Sequence, residues 1–281
     1  MSAQAVPGEA SHYFSRFFAS VQGGFAQLVR SPSHSRRATA ARRSARHLLL
    51  LTAMLGAFIV ALMYLLDVTE IGWMPARGTA SLWPIRILTD FGKSAYVLWT
   101  LAGLLFAVAL VSPLLRGTSR SLLLNFGTRL QFVFFAVLLP VLSGEVLKWI
   151  AGRGRPFVGG EANAFNFVYF NGTEAYASFP SGHAVTAFAL AFAVAAVWPQ
   201  LRLPMIVYAL LIAASRLVLL AHHPSDVVAG ALIGMVGAML VRYWFAARRL
   251  GFAIRLDGQI VPLGGRASGR LKRVARGAWS P

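Results

Sequence analysis

Six long apolar stretches, at about 48–66, 94–112, 121–147, 183–199, 203–220 and 226–246, dominate the chain and leave few folds open to it. Most approach the ~20 residues that carry a helix across a bilayer's hydrocarbon core. They are too long for the strands of a membrane barrel. The fourth and fifth are shortest, and only Pro199, Gln200, Arg202 and Pro204 mark a turn between them. A tight helical hairpin fits that spacing better than one long span. The pattern predicts an all-α, polytopic membrane protein with six transmembrane helices.

Composition enters through one apparent conflict: 57% of residues are hydrophobic, yet the formal net charge is +18. Intrinsic disorder needs low hydrophobicity and is excluded. The absence of cysteine rules out a disulfide scaffold, a thiolate nucleophile and thiolate metal ligation. Clustered arginine can be a nucleic-acid footprint, but here the charge flanks apolar spans. Residues 1–46 hold seven arginines against Glu9 alone, and 242–281 hold nine Lys/Arg against Asp257 alone. With six spans, both tails share a face with Arg116, Arg120 and Arg202, whereas the connections 67–93, 148–182 and 215–226 are nearly neutral. The positive-inside rule then makes both termini cytoplasmic and places those connections on the outer face of the cell (inner) membrane, toward the periplasm or exterior. No nucleic-acid partner is expected; the bilayer is the partner.

The organisation expected is a basic tail over 1–46, a six-helix membrane domain over 47–246, and a basic tail over 247–281. Phe14, Phe17, Phe18, Val21, Phe25 and Leu28 recur at helical steps, which fits an amphipathic helix suited to a lipid interface; Gly23-Gly24 interrupts it, and a partly disordered tail is the equal alternative. Segment 31–46 reads as a Ser/Ala/Arg linker and 251–281 as a mobile tail. The first long apolar run begins only at His47, too late for a cleavable signal peptide.

Polar residues concentrate at three places that the topology brings to the outer face. The first is Lys148 to Pro156, the second Pro180 to His183, the third Ser215 and Arg216 followed by His222 and Asp226. Ionisable groups at a span end are costly and point to function. Lys148, Arg155 and Arg216 supply cationic donors suited to phosphate. Ser181 and Gly182 stand where a helix begins, and its unpaired N–H groups form an anion site. Lys148 and Arg155 share a face if the helix continues, whereas Gly152 and Gly154 favour a chain that unwinds and turns Arg155 inward. Imidazoles provide the chemistry: His222 as nucleophile, Asp226 as its orienter, and His183 as general acid. The cationic clamp would stabilise the transferring phosphoryl group without a metal.

Other residues carry plainer readings. His12, His34 and His47 are structural or solvated, His223 is a neighbour of the nucleophile, and Arg153 is a loop cation near a basic site. Glu145 is placed either to pair with Lys148 at i,i+3 or to transfer a proton. Phe165, Phe167, Tyr169, Phe170 and Tyr176 either form a lipid entrance or pack their loop.

Together the three segments resemble the signature of the type 2 phosphatidic acid phosphatase superfamily, K-x6-RP, PSGH and SR-x5-H-x3-D, complete and in order. The resemblance covers roughly residues 48–246. It implies a phosphohistidine on His222, leaving-group protonation by His183, and phosphate contacts from Lys148, Arg155, Ser181, Gly182, His183 and Arg216. It implies no cofactor and no metal. The expected substrate is a membrane lipid phosphate, an isoprenoid diphosphate or glycerophospholipid phosphate first, with lipid A dephosphorylation close behind. A phosphotransferase that passes the phosphoryl group to a lipid acceptor, and a non-catalytic lipid binder, are the other classes. The motif residues read phosphate and do not choose among lipids, and they leave the oligomeric state open.

Overall fold

The computed structural model describes residues 7–160 and 162–263 of the chain. They form eight α-helices: α1 (Pro7–Val29), α2 (Arg37–Leu65), α3 (Trp83–Asp90), α4 (Ser94–Val111), α5 (Gly117–Ala151), α6 (Gly182–Val197), α7 (Arg202–Val218) and α8 (Pro224–Ala247). One antiparallel hairpin follows, β1 (Phe252–Ile254) with β2 (Ile260–Pro262), pairing Ala253 with Val261.

Among the described residues, five helical stretches are long and apolar enough to cross a membrane: Arg37–Leu65, Ala80–Val111, Gly117–Ala151, Pro199–Val218 and Pro224–Ala247. The sixth expected span is α6, an apolar helix of 16 residues. At 1.5 Å per residue that is about 24 Å, short of the ~30 Å hydrocarbon core. Two segments differ from expectation. The linker expected over 31–46 is largely the start of α2, because the Ala/Arg run from Arg37 to Arg46 has strong helix propensity. The tail expected from 251 begins with the β-hairpin; its part beyond residue 263 lies outside the described residues.

The chain divides into two compact units. One comprises Met1–Ala41, Ala102–Gln131 and Tyr243–Pro281. Within it the Trp244 indole donates to Leu28 O at 3.1 Å, and the Ser33 and His34 N–H groups both donate to Ala247 O. The Ile254 N–H reaches buried His34 Nε2 at 3.2 Å, which gives that histidine a structural task. On α1, Phe14, Phe18 and Phe25 are more than half exposed.

The other unit, Arg42–Leu101 with Phe132–Arg242, is built around α6. Ala184, Val185, Ala187, Ala189 and Ala193 are all but fully buried. Val185 and Ala189 pack on Val137 and Val141 of α5, and Ala187 and Ala191 pack on Ala209 and Ile212 of α7. Small side chains let helices approach closely where hydrocarbon supplies no hydrophobic drive. Gly230 and Gly234 of α8 take this furthest: a Cβ on either would lie 2.5 Å from Ser181 O or Val185 O. The start of α8 is thereby held against the start of α6, where the polar segments lie.

Candidate active site

All three polar segments belong to the unit built around α6, and hydrogen bonds tie them together. At the end of α5, Gly152 takes φ +53° and ends the helix. Its carbonyl accepts the Val168 N–H at 2.7 Å, and Arg153 pairs with Phe167 in an isolated antiparallel bridge. Of the two geometries open to Lys148 and Arg155, the structure has the unwound one. A Cβ at Gly152 would lie 1.7 Å from Val168 O, so Gly152→Ala is expected to lose at least about 2 kcal/mol from combined strain and clash. A lowered thermal midpoint of the purified variant would show it; an unchanged midpoint would mean the turn tolerates a side chain.

The unwound chain buries Arg153, not Arg155. Arg153 is wholly inaccessible and uses its entire donor set. Nε and Nη2 donate to Ala164 O at 3.0 and 2.6 Å. Nη1 donates to Ser225 Oγ and Asp226 Oδ1, both at 2.6 Å, and Nη2 to Asp67 Oδ2 at 2.7 Å. Asp67 follows α2 and is also fully buried; its Oδ1 accepts the Ser225 N–H at 3.0 Å, and Ser225 Oγ donates to its Oδ2. Two carboxylates thus sit at the first turn of α8, whose dipole and free N–H groups favour negative charge. Read from sequence alone, Asp67 is one of several balancing loop charges and Arg153 a loop cation. The signals that could have found them were an acid directly behind an apolar span and an arginine between two glycines.

Asp226 differs from its expected role. Its Oδ2 is 3.9 Å from His222 Nδ1, beyond hydrogen-bond reach. The carboxylate is instead occupied by Arg153, by Ser178 Oγ at 2.6 Å and by the His223 N–H at 2.8 Å. His222 Nδ1 lies 2.7 Å from the Ser178 carbonyl. A carbonyl only accepts, so Nδ1 carries the proton and Nε2 keeps its lone pair. Asp226 therefore holds the Ser178 hydroxyl, and the Ser178 carbonyl holds the imidazole.

His222 is buried, and that desolvation is the main cause holding its pKa well below the ordinary value, followed by the charges of Arg216 and Arg155. Both effects disfavour the imidazolium. The sign follows: protons bind the unfolded chain more readily, so this residue's contribution to stability falls as pH drops through about 6.5. Histidine-labelled protein observed by ¹⁵N NMR, with the His222 signals identified by their loss in His222→Ala, is expected to show a neutral Nδ1–H ring at about pH 5.5, a unit below the ordinary histidine value. Titration of those signals near 6.5 would contradict the buried geometry.

The remaining expected site residues surround this centre. Ser181 precedes α6 without capping it, and its N–H donates to Asp226 O at 3.0 Å. Lys148 Nζ bonds Glu145 Oε1 at 2.6 Å and approaches Gly182, where an added Cβ would stand 3.4 Å away. Arg155 Nη2 pairs at 2.8 Å with Glu174, whose side chain is 93% exposed. Arg216 is buried and donates to Thr89 Oγ1 at 2.8 Å. Ser181 Oγ, His183 Nε2, Arg155 Nε and Arg216 Nε are all buried without a hydrogen-bond partner. Buried polar atoms are rarely left unsatisfied; these four belong to residues expected to hold phosphate, while others, among them Glu70 Oε1 and Oε2 and His223 Nε2, lie outside that set. His223 is buried, with Nδ1 3.3 Å from Asp67 O.

The aromatics of the loop after α5 are partly packed and partly exposed. Phe167 lies under the Arg153 guanidinium at 5.6 Å and stacks on Tyr169. Phe165 and Phe170 pack on Tyr64 and Trp149 but stay about half exposed or more. Chemically, the centre can present a lone pair to an electrophile surrounded by cationic donors and helix-start N–H groups.

Residues 129–250 match the PAP2 superfamily. The chain is 34% identical over 174 residues to a lipid A 1-phosphatase of Rhizobium johnstonii, covering 62% of this chain and 71% of the relative. It is 32% identical, again over 174 residues, to a lipid A 1-phosphatase of Rhizobium etli, covering 62% and 75%. No solved structure matches the chain.

Proposed function

Because the chain belongs to the PAP2 superfamily and is a membrane lipid phosphatase, we propose that His222 Nε2 attacks the phosphorus of a lipid phosphate and forms a covalent phosphohistidine. The N–P bond forms as the P–O bond to the lipid breaks, and His183 donates its proton to the leaving oxygen. The bound phosphate's negative charge favours that proton on His183. Water then attacks phosphorus, the N–P bond breaks, and His183 takes the water's proton. Lys148, Arg155, Arg216, Ser181 Oγ and the backbone N–H groups opening α6 hold the three equatorial oxygens. Incoming phosphate replaces Glu145 on Lys148 and Glu174 on Arg155.

The observation that carries this reading is the coincidence of two features: buried, unpartnered polar atoms on Ser181, His183, Arg155 and Arg216, and a buried His222 whose Nδ1 stands against the Ser178 carbonyl. Asp226 then acts as a positioning residue through Ser178. The chemistry draws on protein groups, so turnover is expected to persist in EDTA; full inactivation rescued by Mg²⁺ would contradict it.

Lipid A-type phosphate becomes the first substrate on the strength of both relatives' names, ahead of the isoprenoid diphosphate and glycerophospholipid phosphate. The reading includes six spans in the inner membrane, both termini cytoplasmic and the site at the outer face, supported by the asymmetry of Lys and Arg. Phosphate release by purified protein from lipid A, undecaprenyl diphosphate, phosphatidylglycerol phosphate, phosphatidic acid and diacylglycerol diphosphate tests the substrate. Release from lipid A at least tenfold above the others is the expected result, and a clear preference for another lipid overturns the assignment. Strict dependence on a second lipid would replace hydrolysis by phosphotransfer.

A further inference from the structure

At the ends of α6, α7 and α8 away from the histidines lies a partly open cavity of about 350 Å³. Its walls are almost wholly apolar, among them Phe188, Phe192, Ile206 and Met235, but two arginines, Arg202 and Arg242, also line it. No carboxylate does. Arg242 stands over the Phe192 ring at 5.2 Å from its centroid, and its Nε is buried without a hydrogen-bond partner. Among the described residues no acid pairs with it.

An arginine on a membrane helix is costly unless it pairs or reaches the interface. Arg202, exposed at the start of α7, reaches the interface. Arg242 lies more than a turn before the end of α8, its guanidinium over Phe192 and its Nε buried without a hydrogen-bond acceptor, and an anion in the cavity would supply that acceptor. The apolar walls require that the anion bring hydrocarbon with it. Free phosphate would leave those walls wet, and a zwitterionic headgroup would set its ammonium beside two guanidinium groups. An anionic glycerophospholipid satisfies both demands, with its phosphodiester on the arginines and an acyl chain along Phe188, Phe192 and Met235. Basic pockets between membrane helices take such headgroups, and the volume falls within the range of small-molecule sites. We propose that this cavity is a binding site for an anionic phospholipid of the adjoining leaflet, separate from the phosphate site at His222.

The experiment is photolabelling in phosphatidylcholine liposomes with a photoactivatable phosphatidylglycerol, the labelled peptides being mapped by mass spectrometry. Label is expected on segments 188–206 and 235–242. Unlabelled phosphatidylglycerol should compete at least fivefold better than phosphatidylcholine or inorganic phosphate. Arg202→Gln with Arg242→Gln should cut labelling at least fivefold. Ala195→Trp fills the cavity with both arginines retained and should do the same, which keeps the test decisive if the double variant does not fold. Label spread evenly over lipid-facing helices, equal labelling by a phosphatidylcholine probe, or labelling unchanged in Ala195→Trp would overturn the site. Competition by inorganic phosphate would overturn it too, making it an anion site without lipid.

Discussion

His222→Ala is expected to lower turnover roughly 10⁴-fold or more while the protein still accumulates in the membrane, as when a covalent catalyst loses its nucleophile. The size follows from the site's division of labour. In the proposed mechanism the clamp residues bind and stabilise phosphate, and His222 supplies a lone pair on a ring held by the Ser178 carbonyl. Its neighbour His223 also has its Nδ1 against a carbonyl, Asp67 O at 3.3 Å, and its Nε2 is buried without a partner, so His223→Ala is the companion variant and should still trap phosphoenzyme. A quench with radiolabelled substrate is the direct check. Wild-type protein should trap a phosphoenzyme that survives alkali and is lost in acid, and His222→Ala should trap none. Retention of a tenth of the wild-type rate would reassign the nucleophile.

The second large effect concerns stability. Arg153→Met leaves Asp67 and Asp226 fully buried without their shared cation. Breaking a buried pair by removing one partner costs about 3–5 kcal/mol, and Arg153 serves two carboxylates, the Ser225 hydroxyl and a carbonyl together. A fall of roughly 10 °C in the thermal midpoint of purified protein is expected. Arg153→Lys keeps the charge but offers three donors in place of five, and should fall between. A midpoint for Arg153→Met within ~2 °C of wild type, less than about 1 kcal/mol, would show that the carboxylates are held by other groups. Activity should fall along with stability, since the Asp226 carboxylate holds Ser178, and Ser178 holds His222, the proposed nucleophile.

These two residues mark how far the primary structure can be read. His222 is legible because its motif is local: Ser215, Arg216, His222 and Asp226 lie within one short stretch, and topology alone carries them to Lys148 and Ser181. Arg153 is not, because its partners Asp67 and Asp226 lie 86 and 73 positions away. The same limit explains Asp226, whose spacing from His222 suits a direct bond. The Ser178 hydroxyl, 48 positions away, has the carboxylate instead. The hairpin that follows Gly251 escapes a sequence reading for a different reason: three-residue strands are too short to leave a period.

By itself the sequence determined the helical class, the apolar stretches, the charge asymmetry and the chemical types of the groups proposed to meet phosphate. Those properties follow from hydrophobic periodicity, the cost of charge in hydrocarbon and the intrinsic chemistry of imidazole and guanidinium, all of which are written locally. Only the tertiary structure decided which arginine is buried, which atom orients His222, and where Asp67 belongs. Each of those outcomes is a choice among competing hydrogen-bond partners. It is settled by small differences in distance between segments that the chain brings together only when α8 closes on α6 through Gly230 and Gly234.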